Sequence, residues 1–507
     1  MESTSFTAKI FDIESNEYIV ILHENDVKKL ALTVNNRVEV QKGNKTVIAR
    51  IHVTRSLVNP GEIGVYKGAA DIIDAKEGSK ILIDPLAPSP AYQYIRERLM
   101  GKKLGKDEIF TIIRDIANQR LSALEIAAFL LSEYANPMTM EEIEWYTRAM
   151  AETGTVIKFN RVAVDKHSIG GVPGNKVSLL IVPIVAAAGL LIPKTSSKAI
   201  TSPSGTANTM GVLANVEFSA DELKRIVNKT NGAIVWGGKL NLAPPDSIII
   251  SKVARPLSID PVGEMLASIM GKKLATGIKY LVMDLPMGPG TKLASMAEAQ
   301  QLGNMFLELG RRLGMTVVCG VTYGGQPVGH AVGPALEAKE ALQAFKTLLP
   351  SSLVEKSVHL AGLLLESVGQ APRGKGADMA RDILKSGKAE AKFREIIEAQ
   401  GGNPKITPDD IPLGTHVKDI IAEASGYVTA VDNKSIVKIA KAAGAPDDPG
   451  AGVYLFGKVG DRVERGKPIL RIYGNSAVKV NEAFNIATRE KPITIEGMLL
   501  RTISLSG

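Results

Sequence analysis

Between about residues 156 and 340, short apolar segments alternate with stretches of helical periodicity, and this rhythm restricts the fold more than any other feature of the 507-residue chain. "AIVWGG", "YLVMDLPMGPG" and "MTVVCGV" read as strands. Strands separated by helical stretches predict a parallel sheet with crossover helices. One of those helices, over about 219–230, opens on the capping box "SADE" and closes at "NG". The chain is too long for one ordinary core, so three or four structural units are expected.

The flanks differ in kind. Residues 1–85 read as a β-rich module: "TVIARIHV" alternates Val47, Ala49, Ile51 and Val53 with Ile48, Arg50, His52 and Thr54, the pattern of a half-buried strand. "EYIVIL" and "RVEVQ" read the same way, with turns at "NN" and "KGNK". The proline-rich "DPLAPSP" at 84–90 marks a boundary. Residues 86–155 form a helical domain, with capping boxes "SALE" and "TMEE" and an apolar stripe of Phe110, Ile113, Ile116 and Ala117. An α/β domain over 156–405 and a C-terminal α+β module over 406–507 complete the expected architecture, a multi-domain α/β and α+β chain.

Composition removes several function classes. Lys and Arg number 61 against 53 Asp and Glu, a formal net charge of +8 spread along the chain. A diffuse excess suits an anionic small substrate, whereas nucleic-acid binding calls for a clustered basic face. An aromatic fraction of 5% leaves few platforms for stacking on single strands. Cys319 is the only cysteine, so there is neither a disulfide framework nor a cysteine metal site. The start "MESTSFTAKIFD" lacks a signal-peptide pattern, and the apolar run "VSLLIVPIVAAAGLLI" is too short and proline-interrupted to span a membrane. A cytoplasmic protein without membrane or nucleic-acid partners is expected.

Three segments carry candidate chemistry. "KHSIGGVPGNK" at 166–176 fails as a nucleotide P-loop, because Val177 follows Lys176 where Ser or Thr belongs, and it lacks the dinucleotide spacing. Its glycines Gly170, Gly171 and Gly174 still allow successive N–H groups to face one concavity. Asn175 reads as the N-cap of the helix that follows, which places Lys166, and Lys176 beside it, at a positive dipole end that favours an anion. A plain strand-to-helix turn with solvated lysines fits the same residues. "PKTSSKAITSPSGTANTM" at 193–210 gathers hydroxyls around Lys198, either as an oxyanion cradle or as a polar surface loop. In "PLSIDPVGEMLASIMGKKLATG", Asp260 and Pro261 read as N-cap and first residue of a helix that sets Ser268 and Lys272 on one face. Lys292 follows a strand and a glycine turn, where ligand-facing loops of parallel sheets lie.

"KHSIGGVPGNKVS", "SSKAITSPSGT" and "ASIMGKKLA" resemble the signature segments of the thymidine and pyrimidine-nucleoside phosphorylase family, and "GQPVGHAVGPALEAKEAL" and "SGYVTAVDNKSI" resemble two further ones. The resemblance spans roughly residues 88–475. The extra Pro173, "SSKAITSPSGT" in place of the usual "SGRGLGHTGGT", and the added N-terminal module resemble the archaeal-type AMP phosphorylase branch, which cleaves nucleoside 5′-monophosphates with inorganic phosphate. The resemblance implies phosphate binding by Lys166, Ser168, Gly171, Ser178, Ser196 and Thr206. It implies substrate contacts from Ser197, Lys198, Ala199, Ile200, Thr201, Ser202, Ser268, Lys272 and Lys292. Asp260 falls on the proposed proton donor, His167 is read as its assistant, and Arg255 lies near, but out of register with, the family's base-contacting arginine. No metal or cofactor is implied, inorganic phosphate being a co-substrate. Helices near 255–275 would complete the helical domain, and a homodimer or higher homo-oligomer is implied. Lys198, standing where the family has arginine, is the candidate for the substrate's 5′-phosphate.

Three rivals remain at this point: a phosphorylase for unphosphorylated nucleosides, a phosphoribosyltransferase, and a carrier protein. The second would need acidic residues near the glycine loop for a magnesium–pyrophosphate pair, and 166–178 holds none. "GVYLFGKVGDRVERGKPILRIY" resembles the hairpin of biotinyl and lipoyl carrier domains, but lacks the methionine-flanked lysine they modify.

Overall fold

The computed structural model describes residues 4–15, 17–34, 36–86, 89–199 and 202–498. Two compact units result: Met1–Met138 with Ile248–Pro261, and Thr139–Ser247 with Val262–Gly507.

In the first unit the period-2 segments close on themselves. Strands β1 (Thr4–Phe11), β2 (Ile19–His23), β3 (Arg37–Lys42), β4 (Lys45–Thr54), β5 (Glu62–Tyr66) and β6 (Lys80–Pro85) form a barrel in the order β1-β5-β2-β4-β3-β6. β1 runs parallel to β5 and β2 parallel to β4, while the other pairs are antiparallel. Val47, Ala49 and Ile51 point into a core shared with Val38, Val40, Ile63, Val65, Ile81 and Ile83. Closure leaves no free edge to pair with another chain. Helices Ala91–Leu99, Lys106–Ala117 and Ala123–Ala135 follow, the last capped by the Ser122–Glu125 box. In Lys106–Ala117 the buried face is Ile109, Ile112, Ile113 and Ile116. The expected stripe is thus shifted: Phe110 and Ala117 are only half-buried, because the i, i+3, i+4, i+7 set starting at Ile109 carries more isoleucine. Residues 87 and 88 of the proline-rich boundary lie outside the described residues.

The second unit holds the parallel sheet. β7 (Ala163–Ser168), β10 (Ile278–Met287) and β11 (Thr316–Tyr323) pair in parallel in the order β11-β10-β7. β8 (Ile192–Ser196) and β9 (Gly232–Trp236) form a second parallel pair, joined to the first by a bridge from Ala163 to Leu191. Helix Ser178–Ala187, apolar on every side, is buried from Ser178 to Ala186 in the centre of the core. Helix Ala220–Thr230 has the expected capping box, Ser219 with Glu222, and ends at Asn231 in the left-handed region. Helix Met140–Glu152, capped by Thr139 and Glu142, packs on helix Val262–Ala275. The helices expected to make one domain are therefore distributed over both units.

The C-terminal part adds two small sheets. β12 (Ala331–Val332) pairs with β15 (Gly452–Leu455), which pairs with β17 (Pro468–Gly474), and β17 with β13 (His416–Ile421). β14 (Gly426–Val431) lies between β16 (Arg462–Val463) and β18 (Ile493–Glu496). Because β12 precedes the helix Pro334–Thr347, the α/β chain itself contributes a strand to the C-terminal sheet. Among the described residues no single helix is long and apolar enough to cross a membrane.

Candidate active site

β7 ends in Lys166, His167 and Ser168, and Gly170, Gly171 and Gly174 then take φ of 83°, 88° and 69°. The turn is as expected, but its exit is not. Helix Ser178–Ala187 begins three residues later than Asn175, with Val177 at its N-cap and no side-chain cap. Asn175 instead reaches across the turn: its Nδ2 donates to Ser168 Oγ at 3.3 Å and to Asp284 Oδ2 at 3.2 Å. Those two donations turn the amide away from the helix start, and Asn175 Oδ1, the atom a cap would use, accepts no hydrogen bond among the described residues. Lys176 also departs from expectation. It is buried and paired with Glu340, so it offers no charge to an anion at the helix start.

The opposite wall comes from β8 and the loop after it. Asn208, on the short helix Thr206–Gly211, shapes that loop by accepting from the N–H groups of Ala199 (2.6 Å) and Gly205 (3.2 Å). Ser202 Oγ donates to the Ser204 carbonyl, and Ser204 Oγ lies 2.9 Å from Thr209 Oγ1. Between the two walls lies a cleft of about 390 Å³. Lys166, His167, Ser168, Gly171 and Ser178 line one side. Ser196, Ser197, Lys198, Ala199, Ser202 and Thr206 line the other, and Lys292 a third. Ile200 and Thr201 lie outside the described residues.

Three expected residues are elsewhere. Ser268 and Lys272 face each other on helix Val262–Ala275 as the i, i+4 spacing predicts, Lys272 Nζ donating to Ser268 Oγ at 3.2 Å. Lys272 is also paired at 2.6 Å with the buried Asp246, a partner that sequence reading missed. Asp260 belongs to the first unit, where it is exposed and its backbone N–H donates to Tyr134 Oη at 3.2 Å. The helix after it starts at Val262, so Asp260 is not its N-cap. The burial that an acid role asks of Asp260 is not supplied within its own unit. Arg255 is exposed in that unit as well.

The electrostatics under the cleft were not legible in any motif. Two fully buried carboxylates, Asp165 and Asp284, face four ammonium groups. Asp284 Oδ2 lies 3.5 Å from Lys166 Nζ and 3.1 Å from Lys356 Nζ; Asp165 lies 2.6 Å from Lys273 Nζ and 3.8 Å from Lys194 Nζ. Four cations against two anions leave a formal excess of two positive charges beneath a cleft that Lys166 and Lys194 themselves line. Burial pushes Lys166 down to about 8 and Lys194 down to about 7, partly offset by Asp284 and Asp165 respectively. Burial would raise Asp284, yet Lys356 and Lys166 outweigh it and hold the carboxyl well below the usual range. Burial and the surrounding lysines hold His167 well below its ordinary value, so its imidazole is neutral at pH 7; its buried Nδ1 has no protein partner. Glu337 also lines the cleft and is pushed up to about 7 by burial, against the pull of Lys176.

Such a site can hold a dianion: excess buried charge, hydroxyl donors on two walls, and no ionised carboxylate lining it below about pH 7. One signal in the sequence could have exposed the buried network. Asp284 interrupts the apolar run "YLVMDLPM", and a lone charge inside a core strand needs a partner.

A helical bundle and an α/β domain whose strands end at this cleft are the two parts of a glycosyl transferase architecture. Residues 160–390 match the family model for the "Glycosyl transferase family, a/b domain" and 92–154 that for the helical bundle domain of the same family; 427–494 match the "Pyrimidine nucleoside phosphorylase C-terminal domain". The chain is 49% identical to the AMP phosphorylase of Thermococcus kodakarensis, over 98% of each chain, and 47% identical to AMP phosphorylase 1 of Archaeoglobus fulgidus, over 99% of each. The chain belongs to the AMP phosphorylase family. A solved anthranilate phosphoribosyltransferase (TrpD) from Thermus thermophilus shares the fold at 18% identity with a TM-score of 0.52, covering 61% of this chain and 99% of that one.

Proposed function

We propose that the chain catalyses AMP + phosphate → adenine + ribose 1,5-bisphosphate, with CMP and UMP as further candidate substrates. The observation that carries this reading is the set of four buried lysines around only two carboxylates beneath a hydroxyl-lined cleft. In the reaction a phosphate oxygen forms a bond to C1′ while the C1′–N bond breaks and its electron pair leaves with the base. Phosphate near neutral pH already carries its nucleophilic lone pairs, so the protein has to place it and desolvate it rather than deprotonate it. Lys166, Ser168, Ser178, Ser196 and Thr206 supply that placement, a matter of positioning and electrostatic stabilisation. The departing base needs a proton, for which Asp260 is the proposed donor. His167, being neutral, serves as a hydrogen-bonding group rather than as an acid.

Lys198 is proposed to hold the substrate's own 5′-phosphate. Its Nζ now sits 2.6 Å from Glu217 Oε1 and 4.1 Å over the Trp236 ring, an exposed pair that a phosphate can displace. Lys198→Ala should raise KM for AMP about tenfold or more and leave KM for adenosine nearly unchanged, as loss of one charge-assisted contact requires. Equal changes for the two substrates would sink the assignment.

The titrating groups of the cleft all push in one direction. Above about 7 Lys194 loses its charge and Glu337 gains one, and above about 8 Lys166 follows Lys194. Affinity for sulfate, a dianion that does not itself titrate in this range, is therefore expected to fall as pH rises through 7 to 8, with net proton uptake on binding; for phosphate, its own loss of a proton opposes both trends. Calorimetry with sulfate in buffers of different ionisation enthalpy reads the proton count; release of protons, or flat affinity, would contradict the charge assignment. The function itself is tested by assaying free base released from AMP, CMP, UMP and the matching nucleosides with and without phosphate. Release from AMP that needs phosphate supports the reading, and its absence from every nucleotide overturns it.

A further inference from the structure

Behind the cradle, two more buried lysines grip a single turn from opposite sides. Lys176 Nζ donates to the carbonyl oxygens of Gly174 (3.0 Å), Val328 (2.9 Å) and Ala331 (3.0 Å), and lies 2.6 Å from Glu340 Oε2. Lys458, on the connection between β15 and β16, donates to the carbonyls of Pro327 and Gly329. The carbonyls of 327 and 329 thus point to the C-terminal module and those of 328 and 331 to the glycine loop. Two further bonds tie the same turn to that module: Val459 N–H donates to Gln326 Oε1 at 3.0 Å, and His330 Nδ1 lies 2.8 Å from the Leu455 carbonyl. On the loop side, Val328 N–H donates to the Pro173 carbonyl at 3.1 Å.

The backbone is built for this convergence. A Cβ at Gly174 would lie 2.8 Å from both the Val328 and Ala331 oxygens, and one at Gly329 would lie 2.1 Å from Glu340 Oε2. Both glycines have positive φ, 69° and 72°. Neither lysine lines the cleft, but the residue between Gly174 and Lys176 does: Asn175, whose amide holds Ser168 Oγ and Asp284 Oδ2. A shift of the turn therefore moves Gly174, then Asn175, then the hydroxyl and the carboxylate that set the cradle.

We propose that Lys176 and Lys458 are positioning residues, a two-sided clamp through which the C-terminal module fixes the glycine loop in its phosphate-holding shape. The proposal rests on the cleft being a phosphate site. It assigns the C-terminal module a part in phosphate affinity and none in nucleotide affinity.

The test uses full-length Lys458→Met, Gln326→Ala and Lys176→Ala, with KM for phosphate, KM for AMP and calorimetric phosphate binding measured on each. Loss of Lys458 should raise the phosphate KM about tenfold, and loss of Gln326 about threefold, with KM for AMP within about twofold of the parent. Ammonium chloride should lower the phosphate KM of Lys176→Ala severalfold and leave the parent unaffected, because free ammonium can refill the four-oxygen cage. A phosphate KM unchanged in folded Lys458→Met, parallel rises in both KM values, or loss of the folded protein in all three variants would overturn the clamp. A parent enzyme that binds phosphate without consuming it would instead overturn the catalytic reading, and the calorimetric arm would still test the clamp.

Discussion

Lys166→Met is expected to lower kcat/KM for phosphate by about 10²–10³-fold, the scale of losing one preorganised charge at a reacting anion. Lys166 is only 3% exposed, lines the cleft, and stands 3.5 Å from Asp284. Methionine fills a similar volume without the charge. Asp284 keeps Lys356 at 3.1 Å and the Thr322 hydroxyl at 2.6 Å, so the fold should survive and the loss should be read in function. KM for AMP should change little, because the substrate's own phosphate is assigned to the opposite wall. Steady-state kinetics with each substrate varied in turn separates the two; equal loss toward both would mean that Lys166 supports the whole cleft rather than the nucleophile.

Asp284→Asn should cost about 3–5 kcal/mol of stability, the range for removing one partner of a buried ion pair. Lys166 and Lys356 would then repel each other with no carboxylate between them. Phosphate should restore part of this loss, so its stabilising shift in Tm should exceed that of the parent. The sign with pH follows from the depressed carboxyl: its contribution is present above the ordinary aspartate range, about 4, and is lost only as pH falls well below it. Thermal denaturation with and without phosphate reads both effects. A Tm equal to that of the parent would show that the buried charges are not coupled as their distances indicate.

Local signals survived the passage from sequence to structure, and long-range ones did not exist to be read. Ser122 with Glu125 and Ser219 with Glu222 mark helix starts because a capping box is complete within four residues. The strand rhythm of 156–340 and the two hydroxyl-bearing loops were legible for the same reason, and residues from both loops line one cleft. Asn175 misled because its type favours a cap while its partners, Ser168 and Asp284, lie 7 and 109 residues away. Lys176 read as a solvated or anion-facing charge because Val328, Ala331 and Glu340 are more than 150 residues distant. Lys356, in a helical segment with ordinary polar neighbours, gave no hint that it enters the core to meet Asp284. The barrel shows the same limit at the level of topology: alternation identifies its strands, but nothing local says that Thr7 registers with Glu62 in a parallel pair.

If the cleft holds phosphate as the attacking group, the inorganic phosphate must end up bonded to the sugar. Phosphorus-31 NMR of AMP incubated with the enzyme and inorganic phosphate tests it most directly. The inorganic phosphate signal is expected to decline as two sugar phosphate signals grow together, those of a ribose carrying phosphate at C1 and C5, with one adenine released per phosphate consumed. Formation of ribose 5-phosphate with inorganic phosphate unchanged would show water to be the nucleophile and would contradict that expectation.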